Sequence, residues 1–525
     1  MSTLAVVRGR GGEAPEPLAR SREEVERTEQ FLTSEEARQL KHSDMEREIE
    51  ERGRAVMREW MQAWLELQEP GETEEPVVDA EGSERTRKRA QSRELETIFG
   101  TLTLERTGYG TPGKESLHPL DGKLNLSVER YSLEVRRRAA EEAAKHSFAE
   151  AAKTLARYTG AHVPQRQLEE LVQRAAVDFD DFYETRRQEG TGPPPGKPGS
   201  LMVITTDAKG VVMRKEDLRR ATRKAAAKKE PKLRTRLTRG EKTGRKRMAT
   251  VASVYTVRRH ERTPEQVLEA LARTAPKDGE RPKRPRPEHK RVWASLEKEP
   301  HEVLEEAFHE ALDRDFDRQL TWVSVVDGNE HQLKLLEALA KHYGVQLTIA
   351  LDIIHVSEYL WKAGHAFAAE GSPELEAWVF ERLGRILRGG ASQVAAGMRR
   401  SATKRGLARD KRRPVDTCAD YLLKYRAYLA YDRYLTAGMP IASGVIEGAC
   451  RHLVKDRLAV TGARWRLRGA EAVLRLRALR SSGDFDAYWR FHEAREHERN
   501  HQARYADARL PAVTDPRKSR PKLVE

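Results

Sequence analysis

Three carboxylates in this chain stand where a hard metal ion could be gathered. They are Asp207 in LMVITTDAKG, Asp327 in LTWVSVVDGN and Glu447 in SGVIEGACRHLVK. Asp207 follows four apolar residues and two threonines, the pattern of a buried strand. The Lys-Gly pair after it predicts a tight turn into a second short strand, Val211–Met213. Asp327 closes another apolar run, Leu320–Asp327, again before a glycine, and Glu447 lies in a helix predicted over Gly444–Val460. A charge at the tip of a buried strand is costly without a cation or a partner. Taken singly, each carboxylate reads as well as a turn or surface residue; the order of the three points to a shared site. Mg²⁺ prefers carboxylate and phosphate oxygens and needs few protein ligands. Two such ions, with Mn²⁺ as a substitute, can activate water or a DNA 3′-hydroxyl and stabilise the leaving oxygen. That chemistry needs no protein nucleophile, and the chain offers no evident Ser/His or Cys/His arrangement.

Composition narrows the partners. Lys and Arg number 97 against 83 Asp and Glu, a formal net charge of +14 in 525 residues. Such an excess favours a polyanion, nucleic acid first. No apolar run approaches the roughly 20 residues of a membrane span, and the N-terminus lacks an apolar core for a signal peptide. With only Cys418 and Cys450, neither a disulfide framework nor a cysteine zinc finger is available. A soluble protein of a reducing compartment is expected.

Around the carboxylates, the elements that must position them follow from periodicity. Residues 1–20 read as a disordered arm. Glu23–Gln68 reads as helical, with a stripe of Met57, Trp60, Met61, Trp64 and Leu65 suited to a core or a dimer contact. An acidic loop, Glu69–Glu84, precedes a strand or hairpin at Ile98–Tyr109. Ser147–Tyr158, the turn Thr159–Val163 and a helix from Pro164 to about Ala176 have helix-turn-helix spacing. In that reading Gln165, Arg166, Gln167 and Arg174 face DNA; the alternative is an ordinary helical hairpin. Gly190–Ser200, GTGPPPGKPGS, reads as the linker before the core.

Within residues 201–352 the expected order is three antiparallel strands (Leu201 onward, Val211–Met213 and Met248–Val257), then a crossover to two parallel strands, Leu320–Asp327 and Gly344–Leu351. This is the order of an RNase H-like mixed sheet, an α/β fold whose first and fourth strands are neighbours. The basic stretch Arg214–Arg247 would neutralise phosphates near the chemistry. Residues 353–440 read as a helical insertion, and 441–490 as the catalytic helix and the end of the core. In an α-helix Glu447, Arg451 and Lys455 share one face. Arg457 and Arg464 extend the basic character, and Trp465 is placed to stack on a base.

The chain resembles bacterial insertion-sequence transposases of the DDE type, most closely the ISKra group, which is related to Mutator-like elements. The matching stretches include LMVITTDAKGVVM, KRMATVASVYTV, VVDGNEHQ, LDIIHVSEYLWKAGHAF, SGVIEGACRHLVKDRLAVTGARW and GDFDAYW, within a span from about Ile98 to Trp489. The resemblance implies Asp207, Asp327 and Glu447 as a metal-binding triad, and an all-helical insertion between the second and third carboxylates. It also implies supporting roles for Asp352 and His355, whose DIIH resembles an Asp-x-x-His signature. The partners implied are terminal inverted repeats and target DNA, handled in the bacterial cytoplasm at the nucleoid by a homodimer or higher oligomer. Some relatives carry N-terminal cysteine motifs; this chain has none, so no zinc is expected there.

One competing motif remains. His497–His501, HERNH, fits H-E-x-x-H, but its charged surroundings offer no evident wall or third ligand. Residues 491–525 therefore read as a basic tail. A DNA-binding regulator without catalysis, or a structure-selective nuclease, are the other functions this layout allows.

Overall fold

The computed structural model describes residues 16–228, 233, 235, 238, 244–272, 284–460 and 462–514. Most of the predicted N-terminal arm, part of the Arg214–Arg247 stretch and the basic residues Arg517, Lys518, Arg520 and Lys522 lie outside the described residues. The chain divides into two compact units, Met1–Asp178 with Asp486–Glu525, and Phe179–Phe485. Gly190–Ser200, the expected linker, is irregular backbone within the second unit, where the Gly196 amide donates to the Arg314 carbonyl at 3.3 Å. None of the described helices is long and apolar enough to cross a membrane.

In the first unit, β1 (Arg87–Thr97) and β2 (Gly100–Gly110) form an antiparallel hairpin. Leu102 and Leu104 of β2 pack with Leu65 and Leu120. The helix His42–Glu66 therefore commits Leu65 to the core, whereas Trp60 and Trp64 keep 52% and 42% of their surface exposed. The helices Leu133–Lys145, Phe148–Tyr158 and Gln165–Arg174 follow. Ser132 and Ser147 cap the first two by accepting from the Val135 and Glu150 amides. Ala139, Ala140 and Ala143, then Ala151 and Leu155, then Leu168, Leu171 and Val172 are buried at helical spacing.

The C-terminal segment corrects the expectation of a basic tail over residues 491–525. Phe485–Asn500 is a helix, and its Tyr488, Trp489, His492 and Glu496 are buried. Three of its polar side chains, His492, Glu496 and Arg499, pair with other parts of the first unit. The fully buried Arg136 guanidinium donates to Glu496 at 2.5 Å and to Glu129 at 2.9 Å. His492 meets Asp178 at 2.6 Å, and Arg499 makes a two-pronged contact with Asp178 at 2.9 Å. Burial alone would raise the Asp178 carboxyl, but hydrogen bonds from His492 and Arg499 outweigh it and bring it down to about 2. The histidines of HERNH are engaged as well: His497 Nε2 bonds the Gly122 carbonyl at 2.9 Å and His501 Nε2 the Leu126 carbonyl at 2.8 Å.

The second unit is α/β, built on a five-stranded mixed sheet of β3 (Leu201–Val212), β4 (Lys246–Val257), β5 (Glu288–Ser295), β6 (Thr321–Val326) and β7 (Leu347–Leu351). The spatial order is β5-β4-β3-β6-β7, with β3, β4 and β5 antiparallel and β6 and β7 parallel to β3. The unit's first and fourth strands are neighbours, an order compatible with an RNase H-like core. Two details differ from the expectation. Val211–Met213 is no separate strand, because β3 runs unbroken to Val212 against Lys246 of β4. The third antiparallel strand is β5, EHKRVWAS, an edge strand whose first half is charged and largely exposed.

Each face of this sheet has its cover. Met202 and Ile204 share a face with Trp322, against which Phe308 of the helix Pro300–Arg314 packs at 6.0 Å between ring centroids. On the other face Leu201 and Val203 meet Tyr255, Val257, Val323 and Val325, covered by Met439 and Val445. Between β7 and Val445 the chain is helical, from Ile353–Gly364 through Tyr431–Thr436.

Candidate active site

Asp207 stands inside β3, not at its end. The strand that ends is β6. β3 pairs with β6 only over Leu201–Ile204, in a register that sets Leu201 against Thr321 and Ile204 against Ser324. Continued by three residues, this register sets Asp207 opposite Asp327. The Thr205 hydroxyl keeps the two strands together on the way, donating to the Val325 carbonyl across 120 positions of sequence at 2.9 Å. Side chains alternate along a strand, so Asp207 lies on the face of Leu201 and Val203, and Asp327 on that of Val323 and Val325. Both aspartates are half-buried.

Local chemistry fixes each carboxylate. Gly328 turns the chain just past Asp327 with φ of +90°, and a Cβ there would sit 3.2 Å from the Tyr421 hydroxyl. Asp327 Oδ1 accepts from the Asn329 amide at 2.9 Å, and Asn329 in turn caps the helix Glu330–His342. The Tyr421 hydroxyl donates to the Asp327 carbonyl at 3.3 Å. Asp207 Oδ1 accepts from the Ala208 amide at 2.6 Å, and its Oδ2 receives the Cys450 thiol at 3.2 Å.

The Gly444–Ala449 helix covers this face through Val445, and its Glu447 lies near enough to Asp207 and Asp352 to feel their charges. Partial burial raises the Glu447 carboxyl above its ordinary range, and the negative charges of Asp352 and Asp207 raise it further. Asp352 and Asp207 therefore stand close to Glu447, with the His355 charge opposing them. After Ala449 the helix widens into a π-helical stretch, Cys450–Lys455. Glu447, Arg451 and Lys455 all stay exposed along this stretch, while Ile446, Ala449, Cys450, Leu453 and Val454 are buried. Arg451 reaches toward Asp456, 3.6 Å away.

Asp352 braces the site. It is fully buried; its Oδ1 accepts from the Ile354 amide at 2.7 Å, and its Oδ2 from the Ser443 amide at 3.0 Å and the Ser443 hydroxyl. Ser443 is the residue before the Glu447 helix, so Asp352 ties that helix to the end of β7. Asp352→Ala strands these donors, at roughly 1–3 kcal/mol for each buried group left unpaired. An expected loss of about 2 kcal/mol or more is readable by urea denaturation; wild-type stability would contradict the bracing role. His355 is partly exposed, with Nδ1 3.9 Å from Glu358, and its charge acts on Glu447 to lower it.

Two residues expected to touch DNA are instead buried. Trp465 donates from its ring nitrogen to the Leu458 carbonyl at 3.0 Å, with the Arg457 guanidinium 4.9 Å from its ring centre. Burial and the nearby Arg477 pull Arg457 down to about 10. Sequence spacing does not show that Trp465 pairs with the end of β3, which buries its ring. In the first unit Arg166 is exposed, whereas Arg174 pairs with Glu129 at 2.7 Å. Gln167 accepts from the Tyr131 hydroxyl.

Sequence reasoning missed Cys450 and Ser443 as parts of the site. The only available signal was their position three residues after Glu447 and four before it. Among the described residues no three His, Cys, Asp or Glu side chains form a group that could hold a metal ion. An all-oxygen set on facing strands still suits Mg²⁺, which commonly takes one or two carboxylates and completes its shell with water and phosphate oxygens. No family model matches the chain, and no curated protein matches it.

Proposed function

We propose that this chain is a metal-dependent DNA transposase of the DDE type that binds the terminal inverted repeats of an insertion sequence, cuts its ends and joins them to target DNA. The observation that carries the reading is the β3–β6 register, which continued by three residues sets Asp207 opposite Asp327, with the Asp207 charge acting on Glu447. Asp207 and Asp327 would hold two Mg²⁺ or Mn²⁺ ions, and Glu447 would complete the second site. Bound there, the ions neutralise phosphate charge, activate the attacking water or 3′-hydroxyl and stabilise the leaving oxygen. Asn329 and Ala208 hold the two aspartates in place through their backbone amides, and the Asp352–Ser443 brace holds the glutamate helix. The Phe148–Tyr158 and Gln165–Arg174 helices act as a helix-turn-helix, presenting Arg166 to DNA, and residues 353–440 are an insertion in an RNase H-like core. Two element ends must be handled together, so the active form is a dimer, with exposed Trp60 and Trp64 as its candidate surface.

The test is nicking of DNA that carries the sequences flanking the coding gene. Cleavage at the element end with Mg²⁺, abolished by chelation, supports the reading; binding with no cleavage under any divalent ion overturns it. A non-catalytic DNA-binding regulator on the same fold is favoured by one contact, the Cys450 thiol on the Asp207 oxygen that a cation would use. Burial pushes that thiol well up, so it stays protonated and donating. Cys450→Ala is expected to lower the Mn²⁺ concentration needed for half-maximal nicking. A higher requirement would show that the thiol positions Asp207 instead of competing for it.

A further inference from the structure

A cleft within the second unit lies beyond the end of β3 that Asp207 precedes. It encloses about 880 Å³ and is lined by Arg214, Lys215, Arg223, Arg245 and Arg464, with Glu216 the single acid among its described lining residues. A volume of this order suits a nucleotide-sized ligand and exceeds what one inorganic anion needs. Among the described residues, none of these five cations makes an ion pair, although ion pairs are frequent elsewhere on this chain. Met213 and Leu218, both buried, supply an apolar floor.

The cleft is built by backbone pairing. The Met213 amide donates to the Arg245 carbonyl at 2.9 Å, the Arg214 amide to the Trp465 carbonyl at 2.8 Å, and the Trp465 amide to the Val212 carbonyl at 3.1 Å. Three segments distant in sequence are thereby stitched together, each carrying an arginine. The buried Trp465 anchors Arg464 beside Arg214. Exposed cations on a fixed backbone, with no acidic partner among the described residues, gain by displacing counterions from phosphates.

We propose that this cleft holds the sugar-phosphate backbone of a DNA strand about six nucleotides from the cleavage point, an inference that rests on the transposase reading for that point alone. Six residues of extended strand separate Asp207 from Met213, roughly 20 Å at about 3.3 Å per residue. Duplex DNA advances about 3.4 Å per nucleotide of one strand, so the two spacings match at about six steps. Arg214, Arg245 and Arg464 contact phosphates, and Met213 and Leu218 face sugar or base.

Binding of the full chain to a labelled generic duplex, measured by fluorescence anisotropy over a KCl series without divalent ions, tests this. The variant Arg214→Gln/Arg245→Gln/Arg464→Gln should bind at least tenfold more weakly at low salt. Its slope of log K against log salt should fall by about 2–3, near 0.9 for each phosphate no longer neutralised. The control Lys341→Gln/Lys404→Gln/Arg433→Gln, equal in charge change and exposed elsewhere on the same unit, should match wild type. Should the triple variant misfold by circular dichroism, Arg464→Gln alone should still lower the slope by about 1. Equal binding by cleft variant and wild type, equal losses in cleft and control variants, or no binding by wild type overturns the inference. Cleft-dependent binding by a wild type that never cuts DNA would leave this inference standing and sink the transposase reading. On DNA carrying an element end, phosphate-ethylation interference that disappears in the variant should lie about six nucleotides from the cut; interference confined elsewhere overturns the placement.

Discussion

Asp207→Asn, Asp327→Asn and Glu447→Gln are each expected to bind element-end DNA as wild type does and to cut it at least roughly 10²–10³-fold more slowly. Each change removes one negative charge and keeps the shape of the side chain. The aspartate substitutions should leave the fold in place, since both carboxylates are half-buried and Asp327 is held mainly through backbone contacts. Glu447→Gln should be neutral or slightly stabilising, because burial and the charges of Asp352 and Asp207 already disfavour its ionised form. Asp352→Ala is the contrasting case, with stability lost first and cutting reduced only through the displaced Glu447 helix. Gel-resolved cleavage rates beside binding isotherms separate the two patterns. Loss of binding in parallel with cutting would mean that the carboxylates shape the fold and not the chemistry.

Arg136→Met is expected to give the largest loss of stability. The guanidinium is fully buried and serves Glu129 and Glu496 together. Its removal leaves both carboxylates without their main cation in a low-dielectric site, a change that typically costs about 3–5 kcal/mol. The attraction to Arg136 holds Glu496 below the usual carboxylate range against a burial that would raise it. For a unit of this size, such a cost corresponds to an apparent Tm lower by roughly 6–20 °C. Arg166→Met, at a site 91% exposed, should leave Tm unchanged. Equal melting of the two variants would return the C-terminal helix to the status of a loosely attached tail.

How far the sequence carried depends on where each side chain faces. The strands β3, β4, β6 and β7 are buried apolar runs, and LMVIT, MATVASV, LTWVSVV and LTIAL announce them directly. β1 and β5 carry RKRAQ and EHKR on surfaces that face water, so their charge hid their pairing. The carboxylate order was legible, but the placement of Asp207 was not. A Lys-Gly pair after an aspartate normally starts a turn; here β4 pairs through both residues, and only the stop in β6 opens the edge beside Asp207. The π-helical stretch after Ala449 has no local signature, yet Glu447, Arg451 and Lys455 stay exposed together across it. Trp465 looked exposed because its burial depends on a contact with Val212 and Met213, some 250 residues away, and Arg457 lies over its ring. The C-terminal helix misled in the opposite sense, since Arg136 meets its Glu496 and Asp178 its His492 and Arg499.

The most direct test of the central claim is the product made at an element end by the purified full chain with Mg²⁺. The account predicts a nick that leaves a 3′-hydroxyl on the element strand for wild type, and no such product for Asp327→Asn. An equal yield of that product from Asp327→Asn would contradict it.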